Sequence, residues 1–304
     1  MDHFGFLNIN KPAGFSSRDV VNRVQKLVRP AKVGHAGTLD PLATGVLLVG
    51  IGPATRLVPI IHELHKVYVA TFILGRTSQT DDVESEVIET PDASRPTPEQ
   101  VLAVLPEFVG RIRQRPPAHS AVRIGGRRAY KLARAGHDVE TPLRSVDVYR
   151  IDLMQFDFPN VVLEIECGTG TYIRSIGRDL GERLGCGAVM SELKRTAIGP
   201  FHVSDAFDPR ALLDAPLTSL LLPATTALPG VPQIVVDETG LELVMDGRSV
   251  SLRRTRAWGD GVTSGAADAG SLSTAIVDQH GTLIALARIE GDCVSPYQVF
   301  KSSR

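Results

Sequence analysis

Asp40 is the carboxylate whose neighbours most suggest chemistry. It lies in Gly34-His35-Ala36-Gly37-Thr38-Leu39-Asp40-Pro41-Leu42-Ala43-Thr44-Gly45-Val46-Leu47-Leu48, where glycines, a proline and a histidine surround one acid just before an apolar run. Gly34, Gly37 and Gly45 open backbone angles closed to other residues, and Pro41 fixes its own φ and disfavours helix at Asp40. Leu39, Leu42, Val46, Leu47 and Leu48 supply apolar walls, and a carboxylate among such walls needs a partner or a reactive role. The same residues also suit a tight turn in which Asp40 accepts backbone N–H bonds.

Three further features bear on this loop. Lys66–Leu74 favours a strand with Tyr68, Ala70, Phe72 and Leu74 on one face, so Tyr68 is either a core aromatic or a ring brought beside Asp40. The spacing of Ile173, Ile176, Leu180 and Leu184 predicts a helix over Tyr172–Leu184 with Arg174 in its first turn, where cations are disfavoured. Arg174 therefore points to a nearby anion, either a carboxylate such as Asp40 or a phosphate, unless it pairs locally with Asp179 or Glu182. Finally, Gly110–Arg134 mixes basic residues, glycines and prolines with His119 and Tyr130, as suits a segment that meets phosphates, or a solvated basic surface paired with acids upstream.

At 304 residues the chain has length for one large domain or two, and 43% hydrophobic with 22% charged residues is ordinary for a globular protein. The three cysteines, Cys167, Cys186 and Cys293, are far apart, which predicts a reduced, cytoplasmic protein without structural disulfides or a zinc motif. The N-terminus lacks the pattern of a signal peptide, and apolar runs such as Val46–Ile51 are far too short to span a membrane. A net charge of −1 conceals segregation: Asp81 to Glu107 holds eight acids and one base, and Arg111 to Arg134 holds eight bases and no acid.

The elements that must position these groups read as follows. Phe6–Ile9 predicts a strand ended by Lys11-Pro12-Ala13-Gly14. Ser16 with Asp19 predicts a capped helix that Pro30 stops. Val46–Ile51 predicts a buried strand, Arg56–Leu64 a short helix, Pro98–Phe108 a helix, Val161–Glu166 and Gly187–Ile198 strands, and Asp205–Leu213 a short helix. Pro216, Pro223, Pro229 and Pro232 mark a linker, after which Ile234–Val236, Thr274–Val277 and Leu283–Ile289 predict a small β unit, with Gly259–Ser271 as a flexible loop.

Taken together, the chain resembles the bacterial tRNA pseudouridine-55 synthase family, which isomerises a uridine in the T-loop of tRNA. The resemblance covers nearly the whole chain. It is carried by Asn10-Lys11-Pro12-Ala13-Gly14 with Ser16-Ser17, the Gly34–Gly45 loop, Lys66-Val67-Tyr68, Arg115-Pro116-Pro117 with Ser120-Ala121, and Gly168-Thr169-Gly170-Thr171-Tyr172-Ile173-Arg174-Ser175. It implies an α+β pseudouridine synthase fold with a central mixed, largely antiparallel sheet flanked by helices. Residues 1–230 would be the catalytic domain, with a mobile basic RNA-clamping insertion at about 111–148, and 231–304 a PUA-like RNA-binding domain.

By the same resemblance Asp40 is the catalytic aspartate, Tyr68 stacks on a flipped base, and Arg174 pairs with Asp40. Lys11 positions the loop or contacts RNA, His35 occupies space vacated in the T-loop, and Tyr172 and Leu193 line the base pocket. Arg123, Arg127, Arg128, Lys131 and Arg134 grip RNA. No metal or organic cofactor, no membrane and no obligatory protein partner are implied. The expected partner of a monomer is tRNA, through its T-arm and its acceptor stem. Arg123 departs from the lysine common at its position, and Ser85 from a glycine.

Overall fold

The structure, a computed structural model, describes residues 3–257 and 273–300 apart from 92, 121, 138, 214 and 215, with backbone alone at 134, 211, 213, 257 and 273. The loop expected over Gly259–Ser271 lies outside the described residues. The chain runs β1 (Gly5–Lys11), α1 (Ser17–Val28), β2 (Val33–Ala36), β3 (Thr44–Ile51), α2 (Val58–Glu63), β4 (Lys66–Leu74), β5 (Arg76–Ser78), β6 (Val87–Glu89), α3 (Pro98–Val104) and β7 (Gly110–Gln114). A small unit of β8 (Arg123–Ile124), β9 (Arg127–Arg128) and α4 (Ala129–Arg134) precedes β10 (Arg144–Asp157), β11 (Asn160–Cys167), α5 (Ile173–Arg183), β12 (Ala188–Ile198), β13 (Phe201–His202) and α6 (Leu217–Leu220). The last part holds β14 (Gln233–Val236), α7 (Glu238–Met245), β15 (Val250–Ser251), β16 (Thr255–Ala257), β17 (Ser273–Val277), β18 (Leu283–Glu290) and β19 (Cys293–Val299).

Among the described residues, nine strands form one sheet in the order β1-β3-β12-β4-β11-β10-β7, with β2 added on β3 and β13 on β12. Every pair is antiparallel except β3 with β12. That parallel pairing is short, Thr44 opposite Lys194 and Gly45 opposite Arg195, so the two strands meet where the Asp40 loop enters β3 and part beyond it. The fold is therefore α+β with a mixed, largely antiparallel sheet, as expected.

Local chemistry explains the elements around the loop. In α1, Ser16 accepts from the Asp19 N–H and Asp19 accepts from the Ser16 N–H, a reciprocal cap, while Val20, Val21, Val24 and Val28 face the core. β4 matches its predicted span, and Ala70, Phe72 and Leu74 are buried on its inner face beside α5. Gly177 of α5 permits this contact, because a Cβ there would stand 2.2 Å from the Phe72 ring.

Other expectations shift. The helix expected at Arg56–Leu64 opens as a 3-10 turn over Gly52–Leu57 before α2, and that at Pro98–Phe108 closes as one over Leu105–Phe108. Prolines at 53 and 106 lack the N–H that a continuous α-helix needs, and they stand at the starts of those turns. In place of the helix expected at Asp205–Leu213, one 3-10 turn ends at Asp205 (Val203–Asp205) and another covers Pro209–Leu213, and between them the Phe207 N–H bonds back to β1, donating to Asn8 O at 3.1 Å. β7, β10 and α7 have no clear sequence signal, because β7 is rich in charge, β10 is interrupted by irregular register and α7 is short.

β14 to β19 build a second sheet, in the order β15-β19-β18-β17-β14-β16. It packs onto the large sheet through a shared apolar cluster in which Phe6, Val46, Leu48 and Ile198 meet Ala275, Leu283, Leu286 and Phe300. Phe4 stacks on Phe300 with ring centroids 5.6 Å apart, and Arg56 donates to Val299 O at 2.6 Å.

Candidate active site

The loop that carries Asp40 is tied down on every side by backbone bonds. Ala43 N–H donates to Asp40 O at 3.1 Å, closing a turn, and Gly14 N–H donates to Pro41 O at 2.9 Å from the turn after β1. Ser17, at the start of α1, uses one hydroxyl twice: it donates to Leu39 O at 3.1 Å and accepts from Leu39 N–H at 2.9 Å. Lys11 is fully buried under the loop and donates to Pro12 O, Phe15 O and Pro41 O at 3.0, 2.6 and 3.2 Å. Three ammonium donors meet three carbonyls there, so Lys11 is an internal anchor rather than a surface contact. Burial pushes its pKa down to about 8, against the pull of Asp40.

Arg195 closes the ends of the same loop, a role absent from the sequence expectations. Its side chain, 1% exposed, donates to Val46 O at 2.8 Å and Gly37 O at 3.1 Å. Gly45 is required at this crossing: its φ is +98°, and a Cβ would sit 2.1 Å from Arg195 O. A bulge in β12 between Arg195 and Ala197 sets the strand's local register. The sequence signal is weak, because Arg195 follows Lys194 in a strand that also carries Glu192, and nothing in the local pattern says which of the two cations turns inward.

Arg174 stands at the second position of α5 with its side chain almost wholly buried. Its Nη2 lies 3.1 Å from Asp40 Oδ2 and its Nη1 lies 3.1 Å from Asp82 Oδ2, and it also donates to Thr80 O at 2.9 Å and His119 O at 3.3 Å. Of the alternatives left open by its helix position, the structure brings it to Asp40, and adds Asp82. Asp82, with its side chain 1% exposed, accepts on Oδ1 from Thr80 Oγ1 at 2.5 Å and from Glu84 N–H at 3.0 Å. Ser85 completes this turn with Thr80, its hydroxyl 2.8 Å from Thr80 Oγ1. A second arginine one turn on, Arg178, holds Asp81 at 2.9 Å, and burial pushes Asp81 up to about 6. Burial and the charges of Asp82 and Asp40 likewise raise Glu84, whose carboxylate accepts from Leu42 N–H.

The apolar wall differs from its expected composition. Leu39, Leu42 and Ala43 pack with Tyr68, Ile173 and Leu193, whereas Val46 and Leu48 belong to the cluster under the second sheet and Leu47 to the one under α1. Alternation along β3 sends successive side chains to opposite faces, so the run cannot surround the loop. Tyr68 and Leu193 occupy the central adjacent strands β4 and β12. Burial raises the Tyr68 phenol above its ordinary value, which the charge of Arg195 and a hydrogen bond from it partly offset. Tyr172 precedes α5, and its backbone N–H and C=O are both held by the Gln114 amide, at 2.8 and 3.0 Å. That double bond from β7 fixes the start of α5, and with it Arg174.

His35 lies on β2 opposite Val49 rather than in the loop itself. Burial lowers its pKa, aided by the charges of Arg18, Arg195 and His62, which leaves the ring neutral near pH 7. Arg123, Arg127, Arg128 and Lys131 are exposed on β8, β9 and α4, whose hairpin turns through Gly125 and Gly126, both at positive φ. Arg134 ends α4, and its side chain lies outside the described residues. β7 and β10 flank this unit as members of the large sheet, and residues 115–143 lie between them. Among the described residues no group of His, Cys, Asp or Glu is arranged to hold a metal ion, and no helix is long and apolar enough to cross a membrane.

Comparison with known proteins places this geometry in context. Residues 25–173 match the TruB family pseudouridylate synthase N-terminal domain, and 174–228 match the tRNA pseudouridylate synthase B C-terminal domain. The tRNA pseudouridine synthase B of Chelativorans sp. is 37% identical over 97% of this chain and 95% of its own length. That of Dinoroseobacter shibae is 42% identical over 92% and 96%. Among solved structures, an H/ACA RNP bound to a substrate RNA containing 2′-deoxyuridine is similar with a TM-score of 0.72 at 25% identity, over 98% of this chain and 85% of that chain. A Cbf5-Nop10-Gar1 complex matches with a TM-score of 0.72 at 27% identity over the same shares.

Proposed function

Because the chain belongs to the TruB family of pseudouridylate synthases, an isomerase family, we propose that it converts uridine 55 in the T-loop of tRNA to pseudouridine with Asp40 as the nucleophile. The observation that carries this reading is the contact between Asp40 and Arg174, on a loop whose backbone is held by side-chain hydrogen bonds at Gly37, Leu39, Pro41 and Val46. The carboxylate is 35% exposed, so one side stays open to a base flipped out of the RNA. The reaction breaks C1′–N1, turns the uracil and joins C1′ to C5, with the C5 proton released and N1 protonated. Asp40 can serve by attack at C1′ or C6, or by removing a 2′ proton.

In this reading Arg174 orients Asp40, Tyr68 and Leu193 bound the base, and Tyr172 lies at the entrance set by Gln114. Lys11 and Arg195 hold the loop. His35 contacts RNA rather than acting as a base, and Arg123, Arg127, Arg128, Lys131 and Arg134 grip the T-arm. The second sheet, within 231–304, is a PUA-like domain for the acceptor stem, and the chain acts as a monomer without protein partners.

A second reading, in which a guide RNA and partner proteins are needed, is favoured by the likeness to H/ACA assemblies. The greater identity to tRNA pseudouridine synthase B proteins weighs for independent action. Purified chain incubated with an unmodified T-arm, followed by mapping of pseudouridine by mass, separates the two. Conversion by the chain alone supports the proposal, and no conversion of T-arm or tRNA overturns it.

A further inference from the structure

The exposed face of α1 is basic along its whole length. Arg18, Asn22 and Lys26 succeed one another at intervals of four, Arg29 caps the helix and Lys32 follows it, all five exposed. A spacing of four puts residues on one side of a helix, and Arg29 returns to the same side three residues beyond Lys26. From Arg18 to Arg29 the stripe runs about 16 Å at 1.5 Å per residue.

Charge on this stripe is uncompensated. Asp19, the one acid of α1, is bound to Ser16 in the cap and lies off the stripe towards Arg23. Arg23 itself rests over the Phe15 ring at 4.8 Å and feels Asp208, so it is not part of the stripe. Among the described residues, Arg18, Lys26, Arg29 and Lys32 form no ion pair with a carboxylate. Three like charges left without carboxylate partners on one side of α1, with Lys32 just past its end, cost self-repulsion unless an anion meets them.

The stripe is also coupled to the candidate active site. Ser17 bonds Leu39 in the Asp40 loop by both backbone groups, and the charge of Arg18 acts on His35. An anion on α1 would thus lie alongside the RNA that enters the site, on an element separate from the β8-β9-α4 insertion. An extended row of guanidinium and ammonium groups with an amide between them suits a phosphodiester backbone, which presents regularly spaced charges, better than a single small anion.

We propose that this face of α1 is a second phosphate-binding surface, engaging the backbone of the same RNA substrate independently of the insertion. The inference rests on the proposed function for the identity of the RNA, but its test reads binding alone. Full-length unmodified tRNA is titrated with the whole chain and with the Arg18→Gln, Lys26→Gln, Arg29→Gln, Lys32→Gln variant from 50 to 300 mM salt. The slope of log K against log salt falls in magnitude by roughly 0.7–0.9 for each phosphate that the variant no longer neutralises, so by about 2 to 3 if there are three of them. An unchanged slope overturns the proposal, whatever acidic partner the face then serves. Thermal unfolding checks that the exposed substitutions keep the fold. Failure here leaves pseudouridine formation by the unaltered chain intact, whereas failure of the functional reading removes that formation.

Discussion

Arg174 joins Asp40 to Asp82: its two terminal nitrogens each stand 3.1 Å from one of these carboxylates, which lie 42 residues apart in sequence. Asp82 is buried and held by Thr80 and by the Glu84 N–H, so it fixes the guanidinium from behind. Asp82→Asn removes that counter-charge while keeping the size of the side chain. Turnover is expected to fall on the order of 10²-fold through misplacement of Arg174, with RNA affinity nearly unchanged. Single-turnover kinetics beside a binding titration measure both, and a rate equal to wild type would remove Asp82 from the site.

Asp40→Asn keeps the loop's backbone bonds and deletes the nucleophile. Pseudouridine formation is expected to drop below detection while the variant still binds RNA. Residual turnover near wild type would refute the proposed role of Asp40.

Gly45→Ala tests the crossing of the loop with β12. The new Cβ meets Arg195 O at 2.1 Å in a backbone of φ +98°, so the strand must shift. Destabilisation beyond about 1 kcal/mol is expected, together with loss of activity. Arg195→Met leaves Gly37 O and Val46 O without their donor, at roughly 1–3 kcal/mol for each group that stays buried. Urea unfolding of the two variants gives these differences directly.

Lys11 makes stability depend on pH. Its pKa in the folded chain is about 8, below the 10.5 of an unhindered lysine, so between those values the unfolded chain binds more protons. Stability contributed by this position therefore rises as pH goes from 8 to 10.5, and the penalty for its charge is fully present below pH 8. The difference between wild type and Lys11→Met should shift in favour of wild type by up to ~3 kcal/mol across that interval, at about 1.36 kcal/mol per pKa unit. Denaturant titrations at pH 7.5 and 10 check it, and a flat or opposite trend would count against a buried ammonium.

Replacing Arg127, Arg128 and Lys131 with alanine should lower the salt slope of RNA binding by up to about one for each phosphate these side chains neutralise. An unchanged slope would mean that β9 and α4 do not touch the RNA backbone.

Much of the site is legible without the structure because local rules write it. Glycines and a proline around Asp40 announce a constrained loop, and Arg174 in the first turn of a helix announces an anion, which the structure supplies as two carboxylates. Asp82 reads only as one of a run of acids, since nothing local separates a buried acid from its exposed neighbours. Arg195, Ser17 and Gln114 escape for a related reason. Each acts on backbone groups of a distant segment, Arg195 on Val46 across 149 positions and Gln114 on Tyr172 across 58, and such carbonyls carry no signature of residue type.

The sequence by itself determined the periods of α1, β4 and α5, the cap at Ser16, the shape-limiting residues of the loop and the family resemblance, because each depends on residue types a few positions apart. Tertiary structure alone decided that β3 and β12 pair only at the end of the Asp40 loop, that Lys11 and Arg195 turn inward to hold the loop, and that Arg174 is shared between Asp40 and Asp82. The physical reason is that a buried charge must find its partners wherever the folded chain brings them, and only the fold says which carbonyls and carboxylates come within about 3 Å.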